Sequence, residues 1–504
     1  MLKQLDKESI LKEIKKRSAT IFDILQDIGD VADQLHYPCY VVGGYVRDLI
    51  LERDNDDIDV VVVGKGSAIA TAYTNHINEI GNGKILATPY TQHFKDAWEK
   101  TRKAKLSIFE NFGTAQVRFG DYEVEFVGAR KESYERGSRK PIVEEGTLQD
   151  DQVRRDFTIN AMAICLNKTH FGELVDPFGG IGDLKTGTIK TPTNPDITFS
   201  DDPLRMLRAV RFACKLGFGI EQTTYNAIIK NLDRLDIISA ERIMTEFLKI
   251  MSSDYAADGI EILKNTGLLK KFLPEVDALD TTGKCGPRYT DKHKNIYWHT
   301  LDVLRSVCLQ TENVYLRIAA LLHDIGKIPT RHYDAHTGYS FDNHEYVGAK
   351  MVESIFKRLK LPQDENMKFT QLMVQLHMRP QAICGDEVTD AGVRRLVHDA
   401  NGYIKELMIL ANSDITTKNE NKKQNFQFRY NELMERIEDI AHKDYIRMFQ
   451  PCVTGNDLME KYHLEPGKKI GEIKQAMKDA LLDNIIENTP EALYEYIEQH
   501  FKLK

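Results

Sequence analysis

Two aspartates separated by one residue offer the clearest chemistry in this chain of 504 residues. Asp57 and Asp59 open the very apolar run DIDVVVV, and residues i and i+2 of a strand point to the same side. Like charges this close are costly unless a cation lies between them. Because Mg²⁺ prefers one or two carboxylates together with phosphate oxygens, the pattern predicts a Mg²⁺ site for a phosphate-bearing substrate. The alternative is a strand edge with two solvated aspartates.

A glycine pair precedes these aspartates in the segment VVGGYVRD. Gly43 and Gly44 would let the backbone approach phosphate groups closely, and Arg47 would serve as their charge partner at the start of a helix. An isolated Asp-x-Asp is common, so this lead-in is what favours the catalytic interpretation.

Further charged residues follow in two blocks. Glu125 alternates with Glu123 on a predicted strand that could lie beside the Asp57 strand, and it could add a third carboxylate to the metal site. In the segment DQVRRDFTINAMA, Arg155 could clamp a triphosphate and Asp156 could accept a hydrogen bond from a ribose hydroxyl. The alternative for this block is a surface ion pair that caps a helix.

The segment DDPLRMLRAVRF pairs one acceptor with one donor. Asp202 and Arg205 are i, i+3 neighbours at a helix start, where Pro203 takes a favoured first-turn position. Adenine and cytosine each show an amino donor beside a ring-nitrogen acceptor, so an Asp and an Arg together would accept A and C and refuse G and U. The alternative is an intrahelical ion pair. Arg208 and Arg211 continue at the same spacing and could contact phosphates or balance the acidic turn before them.

The ordered set of motifs resembles the class II nucleotidyltransferases, which are the tRNA CCA-adding enzymes and their poly(A) polymerase relatives. The resemblance runs from about residue 38 to 250 and ends with SAERIMTE. It implies metal-binding aspartates at Asp57 and Asp59 and a base-selecting pair at Asp202 and Arg205. The triphosphate contacts that it implies are Gly44, Arg47 and Arg155. One departure is Glu52, where the family usually has glycine.

A second set of motifs lies in the C-terminal half. The histidines of YWHTLDVL, ALLHDIGK and FDNHEYVGA, then a further His and Asp, each stand in an apolar helical pattern. Histidine and carboxylate ligands on several helices would build a transition-metal site in a helix bundle. The series resembles the HD phosphohydrolase superfamily, and the alternative is a degenerate HD fold kept for packing.

This resemblance implies a set of residues by role. The divalent transition metal, whose identity the sequence leaves open, would bind to His299, His323, Asp324 and Asp414. The residues that would face substrate phosphate or a second metal are Lys327, His344 and His377.

The remaining sequence predicts the elements that must position these residues. Apolar spacing predicts helix over about 8–36, short strands include Val60–Val63 and Tyr122–Val127, and the chain after the turn-rich segment 176–183 is strongly helical. We therefore expect an α+β head with a small mixed sheet of the nucleotidyltransferase type, followed by all-helical neck, body and HD domains, mostly α overall. The predicted boundaries are 1–36 (N-terminal helical segment), 37–185 (head), 186–255 (neck), 256–420 (body with the HD domain) and 421–504 (tail).

Bulk properties limit the function classes. A net charge of −8 argues against a protein that coats nucleic acid non-specifically, although it leaves room for a local basic channel. Seven scattered cysteines without a CxxC pair indicate buried thiols in a reducing compartment. No secretory core or membrane-spanning window is present in the sequence, so we expect a cytoplasmic protein without a membrane partner.

These inferences lead to a template-independent RNA nucleotidyltransferase that builds or repairs the CCA end of tRNA from CTP and ATP with two Mg²⁺ ions. A poly(A) polymerase, or an enzyme that adds only C or only A, is the close alternative, because the Asp202/Arg205 pair admits both bases. A metal-dependent phosphohydrolase, acting through the HD part on a phosphate or a 2′,3′-cyclic phosphate at an RNA 3′ end, is the alternative from another class and a possible side activity. The sequence leaves the oligomeric state open.

Overall fold

A computed structural model describes residues 5–82, 103–109, 113–133, 142–280, 295–334, 336, 338–384, 389–415, 420–448, 451–482 and 485–501. The segment FKDAWEKTRKAKL (residues 94–106), which is rich in Lys and Arg and whose sequence is typical of a solvated face or a loop, lies mostly outside these residues. The chain divides into two compact units, residues 1–375 and 376–504.

The first unit contains a mixed seven-stranded sheet with the strand order β3-β4-β5-β2-β1-β8-β9. The run IDVVV forms its central strand β2, because β-branched side chains suit a strand that is covered on both sides. Its strands are β1 (Cys39–Val42), β2 (Ile58–Val62), β3 (Lys105–Phe109), β4 (Thr114–Phe119), β5 (Tyr122–Gly128), β8 (Ala163–Cys165) and β9 (Leu174–Val175). Three two-stranded ladders are β6 (Arg130–Ser133) with β7 (Ile142–Glu145), β10 (Thr188–Ile189) with β11 (Gly219–Ile220), and β12 (His332–Asp334) with β13 (Gly338–Ser340).

Helices of the head flank this sheet. The N-terminal segment forms two helices rather than an unbroken one, because Ser18 is extended and its hydroxyl accepts from the backbone N–H of Ile21 as the cap of the second helix. The head helices are α1 (Lys7–Arg17), α2 (Ala19–Gln34), α3 (Gly44–Ile50), α4 (Gly66–Gly81), α5 (Leu148–Val153) and α6 (Gly180–Thr186).

A helical stretch follows the sheet, as the sequence predicts. Its helix α8 (Leu204–Leu216) buries an apolar stripe that includes Leu207 and Phe212, and it ends at Gly217, whose φ of +70° favours glycine. Pro203 is the residue just before this helix rather than part of its first turn. The helices are α7 (Pro195–Asp201), α8 (Leu204–Leu216), α9 (Gln222–Lys230), α10 (Ala240–Met251), α11 (Ala256–Asn265), α12 (Leu268–Phe272), α13 (Pro274–Asp277), α14 (Ile296–Cys308), α15 (Val314–Leu322), α16 (His344–Arg358) and α17 (Glu365–Leu376).

The second unit is helical throughout its described residues. One apolar cluster is centred on Val393, Met408 and Ile437, and another is centred on Leu458, Ile473 and Leu493. The helices are α18 (Arg379–Ile383), α19 (Asp390–Asp399), α20 (Ile404–Ser413), α21 (Glu420–Met448), α22 (Gly455–Tyr462), α23 (Lys468–Leu482) and α24 (Pro490–Phe501).

The predicted fold class is confirmed: a mixed sheet forms the head, and the rest is helical. None of the helices in the described ranges is both long and apolar enough to span a bilayer. The five predicted domain ranges stay a prediction.

Candidate active site

Three carboxylates meet at the centre of the sheet. Strand β2 lies between β1 and β5, and Asp59 is opposite Val42 on one side and Glu125 on the other. Asp57 directly precedes β2, where its backbone N–H donates to the side chain of Asn55 at 2.9 Å. The predicted placement of the Glu125 strand beside the aspartate strand is therefore confirmed.

The electrostatics of these carboxylates favour a cation. Burial, then the charges of Asp57 and Glu125, raise the pKa of Asp59 to about 6, against the opposing effect of Arg155. Burial, Asp57 and Glu123 likewise raise the pKa of Glu125. Uncompensated negative charge of this kind is the environment that a divalent cation would relieve, so these residues fit Mg²⁺.

The glycine pair leads directly into this cluster. Gly43 has a φ of +75°, and a Cβ there would lie 3.2 Å from Nη1 of Arg155 and 3.7 Å from Oδ2 of Asp59. Gly44 is the first residue of α3. Only a residue without a side chain leaves this approach to the carboxylates open.

Arg47 is buried and its guanidinium is already engaged. It donates to both carboxylate oxygens of Asp48, at 2.8 and 2.7 Å, and to Oδ1 of Asn160 at 2.8 Å. A triphosphate bound by Arg47, as predicted, would therefore contact a guanidinium that also bonds to Asp48 and Asn160.

Arg155 and Asp156 are held in a similar way. Arg155 donates to Oδ2 of the buried Asp151 at 2.9 Å. Asp156 accepts from Asn160 at 3.0 Å and forms an ion pair with Arg208 at 2.5 Å. Although burial raises the pKa of Asp156, Arg208 and the hydrogen bonds lower it below its ordinary value. The structure thus gives Asp156 a role in orienting Arg208, and its predicted ribose contact remains a prediction.

Positive charge is concentrated along α8. Arg208 and Arg211 both stack on Phe212, with guanidinium carbons 5.5 and 4.5 Å from the ring centroid, and Arg47 lies 5.2 Å from the same ring. Burial and the neighbouring Arg208 lower the pKa of Arg211, although Glu246 opposes this effect at 3.2 Å. Crowded cations of this kind would be relieved by a polyanion such as a triphosphate.

Asp202 and Arg205, the predicted base-selecting residues, do not form an ion pair with each other. Oδ1 of Asp202 accepts from the N–H of Leu204 at 3.2 Å, and Oδ2 lies 3.7 Å from Nη2 of Arg242. Arg205 donates to the backbone oxygen of Arg154 at 2.6 Å. The two side chains are thus held by different partners, so the intrahelical ion pair is not what positions them.

These groups line one cleft of about 1240 Å³. Every predicted nucleotide-binding residue and both aspartates lie on its wall, whereas Glu125 lies beside Asp59 in the sheet and is absent from the lining in the described part of the chain. The predicted residues on the wall are Gly43, Gly44, Arg47, Asp57, Asp59, Arg155, Asp156, Asp202, Arg205, Arg208 and Arg211.

Sequence reasoning missed the residues that hold these groups. Asp48 and Asn160 orient Arg47, the buried Asp151 orients Arg155, and Arg242 lies beside Asp202. All four stand inside motifs that were already recognised, so their polar types within apolar surroundings could have indicated that they belong to the site. The sequence does not show which residues they contact in the folded protein.

A second cluster lies in the C-terminal part of the first unit. Asp324 is fully buried, and its carboxylate oxygens lie near three histidine Nε2 atoms: His323 at 3.3 Å, His344 at 3.5 Å and His299 at 3.7 Å. Lys327 forms an ion pair with Asp324 at 2.7 Å. One ligand atom from each of His299, His323 and Asp324 can lie within 4.8 Å of the others.

Backbone carbonyls orient two of these rings. Nδ1 of His323 lies 2.8 Å from the oxygen of Ala320, and Nδ1 of His344 lies 2.9 Å from that of Phe341. A carbonyl acceptor at Nδ1 fixes the tautomer that leaves Nε2 available as a metal ligand. The donor set of imidazole and carboxylate suits a transition metal.

The remaining predicted residues of this set belong to the second unit. In it, Asp414 is the residue after helix α20, and Oδ2 of Asp414 accepts from Nε2 of Gln381 at 3.0 Å. The predicted roles of Asp414 and His377 as metal or phosphate contacts stay predictions.

Family models match three successive parts of the chain. The poly A polymerase head domain matches residues 39–94 and 84–190, and the probable RNA and SrmB-binding site of polymerase A matches residues 217–279. The HD domain matches residues 296–417. The head-domain match contains the aspartates and glycines of the cleft, whereas the part of its wall from Asp202 to Lys215 lies between the first two matches. The HD match contains the histidine cluster.

Curated relatives agree with these matches. The chain is 35% identical to an A-adding tRNA nucleotidyltransferase of Geobacter sulfurreducens over 50% of this chain, but it spans only 26% of that protein. It is 32% identical to the A-adding tRNA nucleotidyltransferase of Deinococcus radiodurans over 66% of this chain and 75% of that protein. It is 31% identical to a CCA-adding enzyme of a Geobacillus species over 58% of this chain and 61% of that protein.

The fold is shared with solved structures. A Thermotoga maritima CCA-adding enzyme complexed with tRNA superimposes with a TM-score of 0.58 at 22% identity and 98% coverage of both chains. Taken with the match over three quarters of the Deinococcus protein, the cleft and its motifs identify the chain as a member of the tRNA nucleotidyltransferases that are built on a poly(A) polymerase head domain.

Proposed function

We propose that this chain adds nucleotides to the 3′ end of tRNA, building or repairing the CCA terminus from CTP and ATP. The observation that supports this proposal is that one cleft holds the two aspartates, a row of arginines and the Asp202/Arg205 pair. A hydrogen-bond acceptor and a hydrogen-bond donor placed side by side in this way can bind adenine and cytosine. The relatives include both A-adding and CCA-adding enzymes, so A-only addition is the close alternative.

The residues divide the reaction between them. Asp57 and Asp59 would bind Mg²⁺, which when bound supplies activation of the RNA 3′-hydroxyl and charge neutralisation at the α-phosphate. Gly43 and Gly44 would give the triphosphate access to these carboxylates, and Arg155 would stabilise its charge. Arg208, oriented by Asp156, and Arg211 would add further positive charge along the same wall.

The test uses purified protein, Mg²⁺ and tRNA transcripts that lack CCA, CA or A. Each transcript is offered the four nucleoside triphosphates singly and together, and products are resolved at single-nucleotide length. We expect C, C and A to be added, followed by a stop. Addition of A alone or of C alone would establish half of a divided pathway, and long A tails would establish a poly(A) polymerase.

A matched pair of variants tests the carboxylate cluster. Asp57→Asn should reduce addition at least about 100-fold, since a metal ligand is lost. Glu123→Gln is the control, because Glu123 lies on β5 but forms an exposed ion pair with Arg118 at 2.5 Å. Equal activity of Asp57→Asn and wild type would overturn the assignment.

We also propose that the histidine cluster is a metal-dependent phosphohydrolase centre that acts on a phosphate or 2′,3′-cyclic phosphate at an RNA 3′ end. The orientation of His323 and His344 by backbone carbonyls supports this. When bound, a transition metal would supply an activated water and a phosphate-binding charge. Lys327 would then contribute a cation for the phosphate.

His299→Gln tests this second centre, because it removes one imidazole from a partly exposed position. We expect loss of metal-dependent release of phosphate from a 3′-phosphorylated or cyclic-phosphate RNA, while nucleotide addition remains. His332→Gln, an exposed residue of β12, is the control. Hydrolysis that survives in His299→Gln would refute this centre.

A further inference from the structure

The nucleotide cleft is longer than one nucleotide. Its wall follows α8 from Leu204 to Lys215 and continues onto Ser252–Tyr255. At ~1.5 Å per residue, the 13 residues of α8 span ~20 Å. Stacked nucleotides are spaced by about 3.4 Å, so an incoming nucleotide at Asp202 and Arg205 leaves the far end of the cleft for something else.

The far end has an aromatic surface. Tyr255 lines the cleft and is about half exposed (52%). Its ring carbons lie 3.5–3.6 Å from the position of a Cβ on Gly217, the residue that ends α8. The hydroxyl end of the ring therefore lies against the end of the base-selecting helix, while about half of the residue's surface remains exposed to a ligand.

The charged residues of this part of the cleft differ in how they would act on a phosphate. Lys215 and Lys249 also line the cleft, and they offer cations to phosphates. Glu312 and Asp254 lie on the same wall and would repel a phosphate placed against them. A ligand with an aromatic base as well as a phosphate fits this arrangement, and a free triphosphate does not.

The segment that carries Tyr255 is anchored by a buried guanidinium. Arg317 of α15 is fully buried, and its Nη1 donates to the backbone oxygens of Met251 and Ser253, both at 3.0 Å. Its Nη2 lies 3.4 Å from Oδ1 of Asp254. The hydroxyl of Ser253 also donates to the backbone oxygen of Cys214, at 3.0 Å, and so ties the segment to α8.

The same guanidinium also holds the segment that contributes Glu312 to the cleft. Its Nε donates to the backbone oxygen of Thr311 at 3.0 Å, and Nη2 donates to that of Cys308 at 3.3 Å. A planar group with five N–H donors can satisfy these acceptors together, whereas an ammonium group cannot match this fork geometry. Arg317 therefore fixes both sides of the far wall.

We propose that the far end of the cleft is a subsite for the single-stranded 3′ end of the RNA, in which Tyr255 stacks on a base that lies at least two positions before the terminal nucleotide. Lys215 and Lys249 contact the RNA backbone, and Arg317 is the positioning residue that holds Tyr255 in place. This inference rests on the proposed nucleotide addition and extends it to the RNA substrate.

The test compares Tyr255→Ala and Tyr255→Phe with wild type, using tRNA that lacks its terminal A. Stacking on an aromatic side chain is worth enough to predict an increase of about 10-fold in the KM for tRNA with Tyr255→Ala. The KM for ATP should be unchanged, and Tyr255→Phe should behave as wild type. Tyr225→Ala is the control, because Tyr225 lies on α9 away from the cleft lining.

A dinucleotide primer provides the second readout. It is too short to reach Tyr255 from the catalytic end, so wild type and Tyr255→Ala should extend it equally. Arg317→Met should raise the KM for tRNA as Tyr255→Ala does, with partial recovery in Arg317→Lys. An unchanged KM for tRNA in Tyr255→Ala, or a raised KM for ATP instead, would overturn the subsite. Failure of the wild-type protein to extend any RNA would instead refute the proposed nucleotide addition.

Discussion

Asp202 is the residue on which base selection would depend. Its carboxylate is about one quarter exposed, and Oδ1 accepts a single backbone hydrogen bond, from Leu204. Since each carboxylate oxygen has two lone pairs, acceptor capacity remains on the cleft side. Arg205 is fixed separately through the backbone oxygen of Arg154, so the two groups can address different atoms of one base.

Replacement of Asp202 by alanine should reduce the preference for ATP and CTP over GTP and UTP. An unsatisfied polar group in a buried contact costs about 1–3 kcal/mol. We therefore expect the preference for ATP and CTP to decrease by a factor of roughly 5 to 150. The measurement is the ratio of kcat/KM values for the four nucleotides.

Asp201→Asn is the matched control for this prediction. Asp201 is the adjacent carboxylate at the end of α7, and the charges nearest to it include Arg205, Arg234 and Glu132. It is not part of the cleft wall in the described residues. Discrimination that is unchanged in Asp202→Ala, or lost equally in Asp201→Asn, would argue against the base-selecting role.

Residue types were easier to predict than their partners. The motifs indicated that Arg47 and Asp156 belong to the site, but Arg47 bonds to Asn160, 113 positions away, and Asp156 pairs with Arg208, 52 positions away. Local spacing reports only i+2, i+3 or i+4 neighbours, so contacts of this range depend on the tertiary fold.

At the scale of elements, a histidine joins helix α4 to α2. Nε2 of His76 lies 2.9 Å from Oδ1 of Asp27, with both side chains largely buried. This hydrogen bond raises the pKa of His76 above its ordinary value of 6.5 against the opposing effect of burial, and the charges of Asp27, Glu79 and Asp30 raise it further. The protonated form is therefore stabilised by folding.

A raised folded-state pKa fixes the sign of the pH dependence. The stabilisation from His76 is complete below about 6.5, and it is lost as the pH rises through the higher folded-state pKa. His76→Gln should lower the stability by about 1–2 kcal/mol at pH 6, and the difference from wild type should shrink at pH 8.5.

Urea unfolding at both pH values checks this expectation. His170→Gln serves as the control, because His170 forms an exposed pair with Glu173. A difference between His76→Gln and wild type that is the same at both pH values would show that the contribution does not depend on the charge of His76.

Element types followed from the sequence more readily than element limits. The alternating and β-branched runs gave β2 and β5 correctly, because a period of two is a strong local signal. The interruption of the N-terminal helix at Ser18 was missed, since serine is tolerated inside helices and only its extended backbone makes it a cap. Likewise, Glu52, the departure from the glycine that the resemblance implies, has a φ of +59°, a conformation that favours glycine.

At the scale of the whole molecule, the sequence predicted a sheet-containing head and a helical remainder, and both are present. The division at residue 375 was not foreseen. It falls within the stretch that the HD domain model matches, between His344 and His377. A compact unit is a region whose residues contact one another more than they contact the rest of the chain. A series of motifs is defined by residues of related chemistry along the sequence, so the limits of a unit and of a motif series need not coincide.

The buried Arg317 has a consequence for how this chain could be shortened. The segments that it holds at the far wall belong to the transferase cleft, but the arginine itself stands six residues before the histidine that begins the HD motif. A fragment that stops at residue 295 would keep every nucleotide-contacting residue proposed for the catalytic end and still expose the carbonyls of Met251 and Ser253. The smallest autonomous transferase would thus include Arg317 and the part of the HD-matched segment that carries it.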